Sequence, residues 1–235
     1  MDYKKNNRLI SGLVILSLLS FFYLFSLNFI LIIFLFFLSL YDFHYSKICS
    51  LNNQIIVCII FLMIFYFFNQ FYIHILLFIT SFTVLFFLTY IKKKIGTIFF
   101  IQIIIYLILL SKISLINSNF VFIIFFLSFC NDTFAYILGN LIKGPLITPN
   151  VSPNKTWSGT LSSMILSFFL SLYFDFSLIA SFLISISFFF GDIYFSFIKK
   201  NIFIKDFSNL IPGHGGILDR IDSTFFIPVI ISIFY

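Results

Sequence analysis

The sequence contains no glutamate and few other charged residues. Only 9% of its 235 residues are charged, among them two arginines and eight aspartates. A soluble domain usually carries about 25% charged residues. Because so few charges cannot cover a surface in water, the composition excludes a soluble domain and indicates lipid as the solvent for most of the chain.

Cysteine is also scarce, whereas apolar residues are abundant. Cys49, Cys58 and Cys130 have no metal-type spacing, and their odd number argues against a disulfide framework. Hydrophobic residues make up 61% of the chain and aromatic residues 23%, with forty phenylalanines. The basic residues 1–8 lead into an apolar stretch without a small-residue cleavage site, which predicts a retained first helix rather than a signal peptide.

Apolar stretches between polar breaks predict an all-α, polytopic integral membrane protein of about nine transmembrane helices. A span takes about 20 apolar residues, with a range of roughly 17–25. The predicted spans are residues 9–27, 29–41, 55–68, 73–91, 97–111, 119–139, 159–174, 177–197 and 224–235.

The orientation follows from the basic residues. Region 9–41 is broken only at Asn28, so one long helix and a hairpin of two short helices both fit it. With a hairpin and a cytoplasmic N-terminus, thirteen of the fourteen basic residues face the cytoplasm, and only Lys112 is external. This strong positive-inside bias favours the hairpin and a cytoplasmic N-terminus.

Two stretches, 131–159 and 191–223, break the apolar pattern. Seven of the nine glycines and four of the five prolines lie between Gly139 and Gly216. Five aspartates lie in the two stretches, namely Asp132, Asp192, Asp206, Asp219 and Asp222. We assign the other three, Asp2, Asp42 and Asp175, to the N-terminal tail or to short loops.

The aspartates of these stretches have the chemistry of metal ligands. Asp132 and Asp192 lie near the cytoplasmic ends of spans, and a carboxylate at a helix centre would cost about 2.5–3.5 kcal/mol. Asp219 and Asp222 are three residues apart, beside Arg220, and would share one face of a helix. Carboxylate oxygens suit Mg²⁺, which completes its shell with water and phosphate. Interfacial hydration and an ordinary solvated face are the alternatives.

Glycines and basic residues point to phosphate. The turn at 212–216, with three glycines in four residues, lets main-chain N–H groups approach a ligand, and a helix start after it suits phosphate. The nearby basic residues are Lys199, Lys200, Lys205 and Arg220. Upstream, Ser152, Lys155 and Thr156 lie in a proline-rich segment that predicts a loop able to fold over a site. It is not a Walker A motif, and a plain cytoplasmic loop with an interfacial Trp is the alternative.

The second stretch resembles the signature of the phosphatidate cytidylyltransferases. It reads Ser196-x-x-Lys199-Lys200, then Lys205-Asp206-x-Ser208, then Pro212-x-His214-Gly215-Gly216-x-x-Asp219-Arg220-x-Asp222, over 27 consecutive residues. The family's other shared block is resembled by Asp132-Thr133-x-Ala135-Tyr136-x-x-Gly139 and Ser152-Pro153-x-Lys155-Thr156-Trp157. The resemblance covers residues 130–223.

Four positions depart from the family pattern. Lys200 stands where the family usually has Arg, which loses a bidentate fork. Asn140 replaces a basic residue, and Ser158 and Phe195 replace a carboxylate or amide of many relatives.

The resemblance implies a reaction and its residues. A phosphate oxygen of phosphatidic acid attacks the α-phosphorus of CTP, giving CDP-diacylglycerol and pyrophosphate. Since this joins two anions, neutralisation and alignment must supply the catalysis, with Mg²⁺ as cofactor and two metal ions expected. Implied catalytic residues are Asp132, Asp192, Lys205, Asp206, His214, Asp219, Arg220 and Asp222, of which Asp219 is the principal metal ligand, assisted by Asp206 or Asp222. Implied substrate-binding residues are Ser152, Lys155, Thr156, Ser196, Lys199, Lys200, Gly215 and Gly216.

The resemblance also implies an organisation and a location. Residues 1–118 form an N-terminal transmembrane region of about five spans, and 119–235 a catalytic transmembrane region with cytoplasmic loops 140–158 and 198–223. We expect a bacterial inner-membrane protein with its active site facing the cytoplasm. The expected partners are CTP, phosphatidic acid and the bilayer, but no nucleic acid; a homodimer is left open.

Two other functions compete. A CTP-dependent lipid-alcohol kinase of the polyprenol or phytol type would attack the γ-phosphorus instead. A non-catalytic lipid transporter should show internal repeats and paired broken helices near the midplane, and the sequence shows neither.

Overall fold

A computed structural model describes most of the C-terminal half of the chain and parts of the N-terminal half. The described residues are 17, 20–24, 27–49, 54, 78–81, 95–149, 152–211 and 215–235, with the backbone alone for 28, 29 and 152–154. Predicted spans 55–68 and 73–91 lie almost entirely outside these residues, as does most of span 9–27.

The described chain is helical with one small strand pair. The helices are α1 (Asn28–Tyr45), α2 (Ile95–Ile116), α3 (Asn119–Ile142), α4 (Trp157–Tyr173), α5 (Leu178–Ile202), α6 (Leu218–Ile221) and α7 (Ile227–Phe234). Strands β1 (Leu146–Thr148) and β2 (Ser152–Thr156) pair antiparallel between α3 and α4. The predicted loop 140–158 therefore contains a hairpin, a departure from an all-α chain.

Three of the described helices are long and apolar enough to cross a membrane, namely α2, α3 and α5. They correspond to predicted spans 97–111, 119–139 and 177–197, so the prediction of a helical membrane protein is confirmed. Each helix runs further at its C-terminal end than predicted. The predicted ends were set at polar residues, but a helix keeps its own backbone hydrogen bonds past such residues.

Helix α4 shows most directly which surface is apolar. Leu161, Ile165, Phe169 and Tyr173 follow one another at four-residue intervals and are 50–79% exposed. The opposite face buries Ser163, Ser167 and Ser171, whose hydroxyls donate to carbonyls three residues earlier. Apolar residues outside and small polar residues inside are typical of helices packed in lipid.

The chain divides into two compact units. The first comprises residues 1–118 and 198–220, and the second comprises 119–197 and 221–235. In the first unit, Phe43 of α1 packs edge-on against Phe100 of α2, with ring centroids 4.8 Å apart. In the second, Tyr194 of α5 stacks on Phe225 at 5.4 Å.

Candidate active site

In the second unit, two glycines bring α3 and α4 together beside a cavity. A Cβ atom on Gly159 would lie 2.6 Å from the carbonyl oxygen of Ala135 and 3.2 Å from the Cα of Gly139. No side chain larger than hydrogen fits between these backbones. The crossing places the start of α4 against the part of α3 that follows Asp132.

The cavity has a volume of about 260 Å³, and nine of its fourteen lining residues have polar side chains. It is smaller than the roughly 300–1,000 Å³ of typical ligand pockets, so it can hold part of a two-substrate complex. The polar side chains of the lining belong to Asn131, Asp132, Tyr136, Asn140, Lys155, Thr156, Thr160, Ser163 and Asp192. Met164 and Phe189 add an apolar part.

An ion pair links β2 with α5 at the cavity. Lys155 at the end of β2 donates from Nζ to the Oδ2 of Asp192 in α5, and both side chains are about one-fifth exposed. Next to it, Thr156 caps α4 by accepting a hydrogen bond at Oγ1 from the Gly159 N–H. The cap fixes the direction in which β2 delivers Lys155.

The cavity also contains oxygen ligands that suit a divalent cation. Asp132 and Asp192 supply two carboxylates, and Asn131 supplies an amide whose Oδ1 is buried with no hydrogen-bond partner among the described residues. An orphaned buried acceptor beside carboxylates fits Mg²⁺, which takes one or two carboxylates with further oxygens. Asn131 was missed by the sequence analysis, and its position next to Asp132 was the only available signal.

In the first unit, Asp219 is the centre of a second polar cluster. Its Oδ1 accepts from Lys199 Nζ at 3.0 Å, and its Oδ2 accepts from the N–H groups of Phe207 (3.0 Å) and Gly216 (2.9 Å). A carboxylate has about four lone-pair sites, so three of those of Asp219 are already used. The Gly216 N–H, expected to meet phosphate, donates to this carboxylate instead.

Gly215 provides the space for this arrangement. Its φ is +80°, and a Cβ there would lie 2.6 Å from the Asp219 Oδ2 and 3.3 Å from the Asp206 Cβ. Asp206 is exposed, so this carboxylate is open to solvent beside Asp219. No group of three or more Asp, His or Cys side chains is placed to hold a metal ion in the part of the chain that the structure describes.

Asp42 belongs to the second cluster, although the sequence analysis assigned it to a short loop. That assignment was wrong, because α1 continues to Tyr45. Asp42 is fully buried and accepts hydrogen bonds from Ser208 Oγ (2.6 Å) and Leu218 N (2.8 Å). It lies just beyond the predicted span 29–41. Burial raises the pKa of its carboxyl above the usual range, although the bonds from Leu218 and Ser208 act in the opposite direction.

The prediction that Asp219 and Asp222 share one face of a helix is wrong. Helix α6 ends at Ile221, and Asp222 lies in the following turn, where its Oδ1 accepts from the Ser223 N–H at 2.8 Å. Hydrogen bonds between residues three apart, from Thr224 and Phe225, continue as turns rather than as an α-helix.

The other predicted site residues are placed as follows. Lys200 and Lys205 are exposed, and Ser196 and Arg220 are half-buried. For Ser152 the structure describes the backbone in β2, and His214 lies outside the described residues.

Comparison with known proteins gives several relatives named phosphatidate cytidylyltransferase. That of Rickettsia bellii is 35% identical over 124 residues, covering 46% of this chain and 54% of the relative. That of Aquifex aeolicus is 36% identical over 130 residues, covering 52% and 49%. That of Helicobacter pylori is 35% identical over 111 residues, covering 41% and 39%. The chain spans about half the length of the curated relatives it matches.

The family assignment rests on a longer match. The sequence model of the cytidylyltransferase family matches residues 6–235, which is nearly all of the chain. The match includes both polar clusters and the described helices. The chain therefore belongs to the cytidylyltransferase family.

Proposed function

We propose that the chain is a phosphatidate cytidylyltransferase, which converts CTP and phosphatidic acid into CDP-diacylglycerol and pyrophosphate. The observation that carries this proposal is the cavity of the second unit, which Lys155 and the carboxylates of two apolar helices line together. Anionic phosphates and a cation require this combination of charges, and a lipid substrate requires its position in an apolar helical protein. The names of the relatives support the choice of substrates.

The reaction depends on residues that neutralise and align two anions. A phosphate oxygen of phosphatidic acid forms a bond to the α-phosphorus of CTP, and the bond from that phosphorus to the β-phosphate oxygen breaks. Phosphatidate is already ionised at neutral pH, so no general base is needed. Within the cavity of the second unit, Lys155 exchanges Asp192 for a substrate phosphate.

The cofactor in this proposal is Mg²⁺. Asp132, Asp192 and the Asn131 amide oxygen would hold it in the cavity, and Asp219 with Asp206 or Asp222 is the set that the family resemblance implies. When bound, the ion neutralises phosphate oxygens and lowers the repulsion between the two substrates.

The lipid is delivered from the membrane. We propose nine spans with a cytoplasmic N-terminus in a bacterial inner membrane, and both polar stretches on the cytoplasmic side. The basis is the positive-inside distribution of thirteen of fourteen basic residues. The exposed apolar face of α4 lets phosphatidic acid approach the start of this helix, where Trp157 is 48% exposed and suits the membrane interface.

The test is transfer of label from CTP into lipid. Purified protein in detergent micelles is given CTP labelled at the α-phosphorus, phosphatidic acid and Mg²⁺. The Asp192→Asn variant is compared with Asp175→Asn, which makes the same chemical change in the exposed turn at the other end of α4. We expect label in the lipid fraction for the wild type and Asp175→Asn, and a loss of at least 100-fold for Asp192→Asn, by analogy with the loss of one group stabilising the transition state.

Two outcomes would contradict the proposal. If the label stays in free CDP while a lipid alcohol becomes phosphorylated, the protein is a lipid-alcohol kinase. If folded wild-type protein transfers nothing to any lipid acceptor, the chain is not a cytidylyltransferase despite its family.

A further inference from the structure

Asp42 contacts residues on both sides of the glycine turn of the first unit, although it lies far from them in the sequence. Its Oδ1 accepts from the hydroxyl of Ser208, and its Oδ2 accepts from the N–H of Leu218, at 2.6 Å and 2.8 Å. The two donors are ten residues apart in sequence, one on each side of the glycine turn. Because the carboxylate is fully buried, it has no water to replace either donor.

Gly216 shows how closely this carboxylate fits. A Cβ on Gly216 would lie 2.4 Å from the Asp42 Oδ2 and 2.8 Å from its Oδ1. The carboxylate therefore lies flat against the backbone of the turn. The backbone of Gly216 is not in the left-handed region that favours glycine. The close approach of Asp42 is therefore the local reason for a glycine at this position.

Asp42 and Asp219 accept hydrogen bonds from nearby residues on the same two sides of the turn. Asp219 accepts from Phe207 N and Gly216 N, and Asp42 accepts from their near neighbours Ser208 and Leu218. Each carboxylate thus contacts both sides of the turn. Movement of the segment past Asp42 would displace the donors that orient Asp219.

We propose that Asp42 is a positioning residue, which fixes residues 207–208 and 216–218 so that Asp219 and its partner Lys199 keep the orientation needed for substrate phosphates. The kinetic part of this inference rests on the proposed function, whereas its structural part does not. A carboxylate is required because it accepts at both oxygens, and an amide would turn an N–H₂ group toward one of the two donors.

The first experiment compares Asp42→Asn with Ser39→Ala in the same detergent. Ser39 lies on the same helix, is buried, and donates only to Phe36 O within α1, so its variant controls for loss of a buried polar group. We expect kcat of Asp42→Asn to fall about 100-fold, the size expected for a misplacement of about 1 Å, with KM for CTP within threefold of the wild type. Ser39→Ala should keep both constants.

Hydrogen exchange provides a readout that needs no catalysis. Peptides containing the amides of Phe207, Gly216 and Leu218 should exchange at least tenfold faster in Asp42→Asn than in Ser39→Ala. If the wild type transfers no label, the proposed function fails while this measurement still decides the structural part. Exchange and kcat equal to the control would overturn the inference, as would a kcat loss accounted for by a smaller folded fraction.

A double variant tests the contact itself. In a protein that retains Asp42, Gly216→Ala should lower kcat strongly, because the added methyl group would lie 2.4 Å from the Asp42 carboxylate. In an Asp42→Ala background this methyl group has space, so Gly216→Ala should cost at least tenfold less there. Equal costs in the two backgrounds would contradict the proposed positioning contact.

Discussion

Gly159→Ala is expected to separate α3 from α4 and to disable the cavity between them. The added Cβ would lie 2.6 Å from the Ala135 carbonyl oxygen, whereas ordinary contact begins at 3.4 Å. About 0.8 Å of movement is therefore required. The atoms it meets belong to the backbone, so a rotamer change cannot relieve the contact.

The magnitude follows from two opposing effects. Overpacking of a tight interface costs about 1–3 kcal/mol, while replacing a helical glycine by alanine returns about 1 kcal/mol of helix propensity. The net loss of stability is therefore modest, at most about 2 kcal/mol. Activity should respond more strongly, because Thr156 and Lys155 move with the start of α4, and a displacement near 1 Å costs about 100-fold.

Transfer of label from CTP into lipid measures the activity, and a thermal melt in detergent measures the stability. Gly139→Ala is the graded comparison, since its Cβ would meet the Thr156 Oγ1 at 3.1 Å, a side-chain atom that can move. We expect a loss of about 100-fold for Gly159→Ala and a smaller loss for Gly139→Ala. Asp175→Asn, in the exposed turn after α4, should keep full activity. Wild-type rates and melting temperature in Gly159→Ala would refute the close helix crossing.

Three further changes test separate contacts. Lys155→Met should abolish transfer and lower the melting temperature. Adding Asp192→Asn should recover part of the lost melting temperature, because removing one partner of a half-buried ion pair costs more stability than removing both. A further drop in the double variant would argue against the ion pair. Gly191→Ala should destabilise the protein and reduce transfer, since its Cβ would lie 2.3 Å from the Asp222 carbonyl oxygen, and an unchanged melt would exclude that contact. Tyr235→Phe removes an exposed hydroxyl bound to the turn before α5 and should cost less than about 1 kcal/mol with unchanged transfer; a loss of transfer would show a role for the C-terminus that the structure does not give it.

The sequence predicted the helices better than their ends. The α2, α3 and α5 starts lie within two residues of the predicted spans, because hydrophobic runs begin sharply after polar loops. Their C-terminal ends were predicted too early, since Lys112 and Lys199 are helical residues that follow an apolar run. Long charged side chains extend away from a helix without interrupting its backbone bonds.

Which site residues meet could not be read from the sequence. Lys155 and Asp192 are 37 residues apart, and their pairing depends on how the strand pair and the glycine crossing deliver the first to the second. The sequence analysis named both residues as site residues but did not predict that they form an ion pair. Asp42 was missed for a different reason: a charge after an apolar run was taken as the end of a helix, whereas α1 continues and buries it among hydrogen-bond donors.

The aspartates of the two polar clusters differ in how much of their hydrogen-bonding capacity the fold already uses, and this difference bears on where a cation binds. Asp42 and Asp219 accept from backbone N–H groups, with a serine hydroxyl added for the first and a lysine for the second. Displacing several backbone donors to admit a metal would leave each of them unsatisfied at about 1–3 kcal/mol. Asp192 instead pairs with the side-chain ammonium of Lys155, which a phosphate can draw away, and it shares its cavity with Asp132. We therefore propose that the cavity pair is a better site for Mg²⁺ than Asp42 or Asp219.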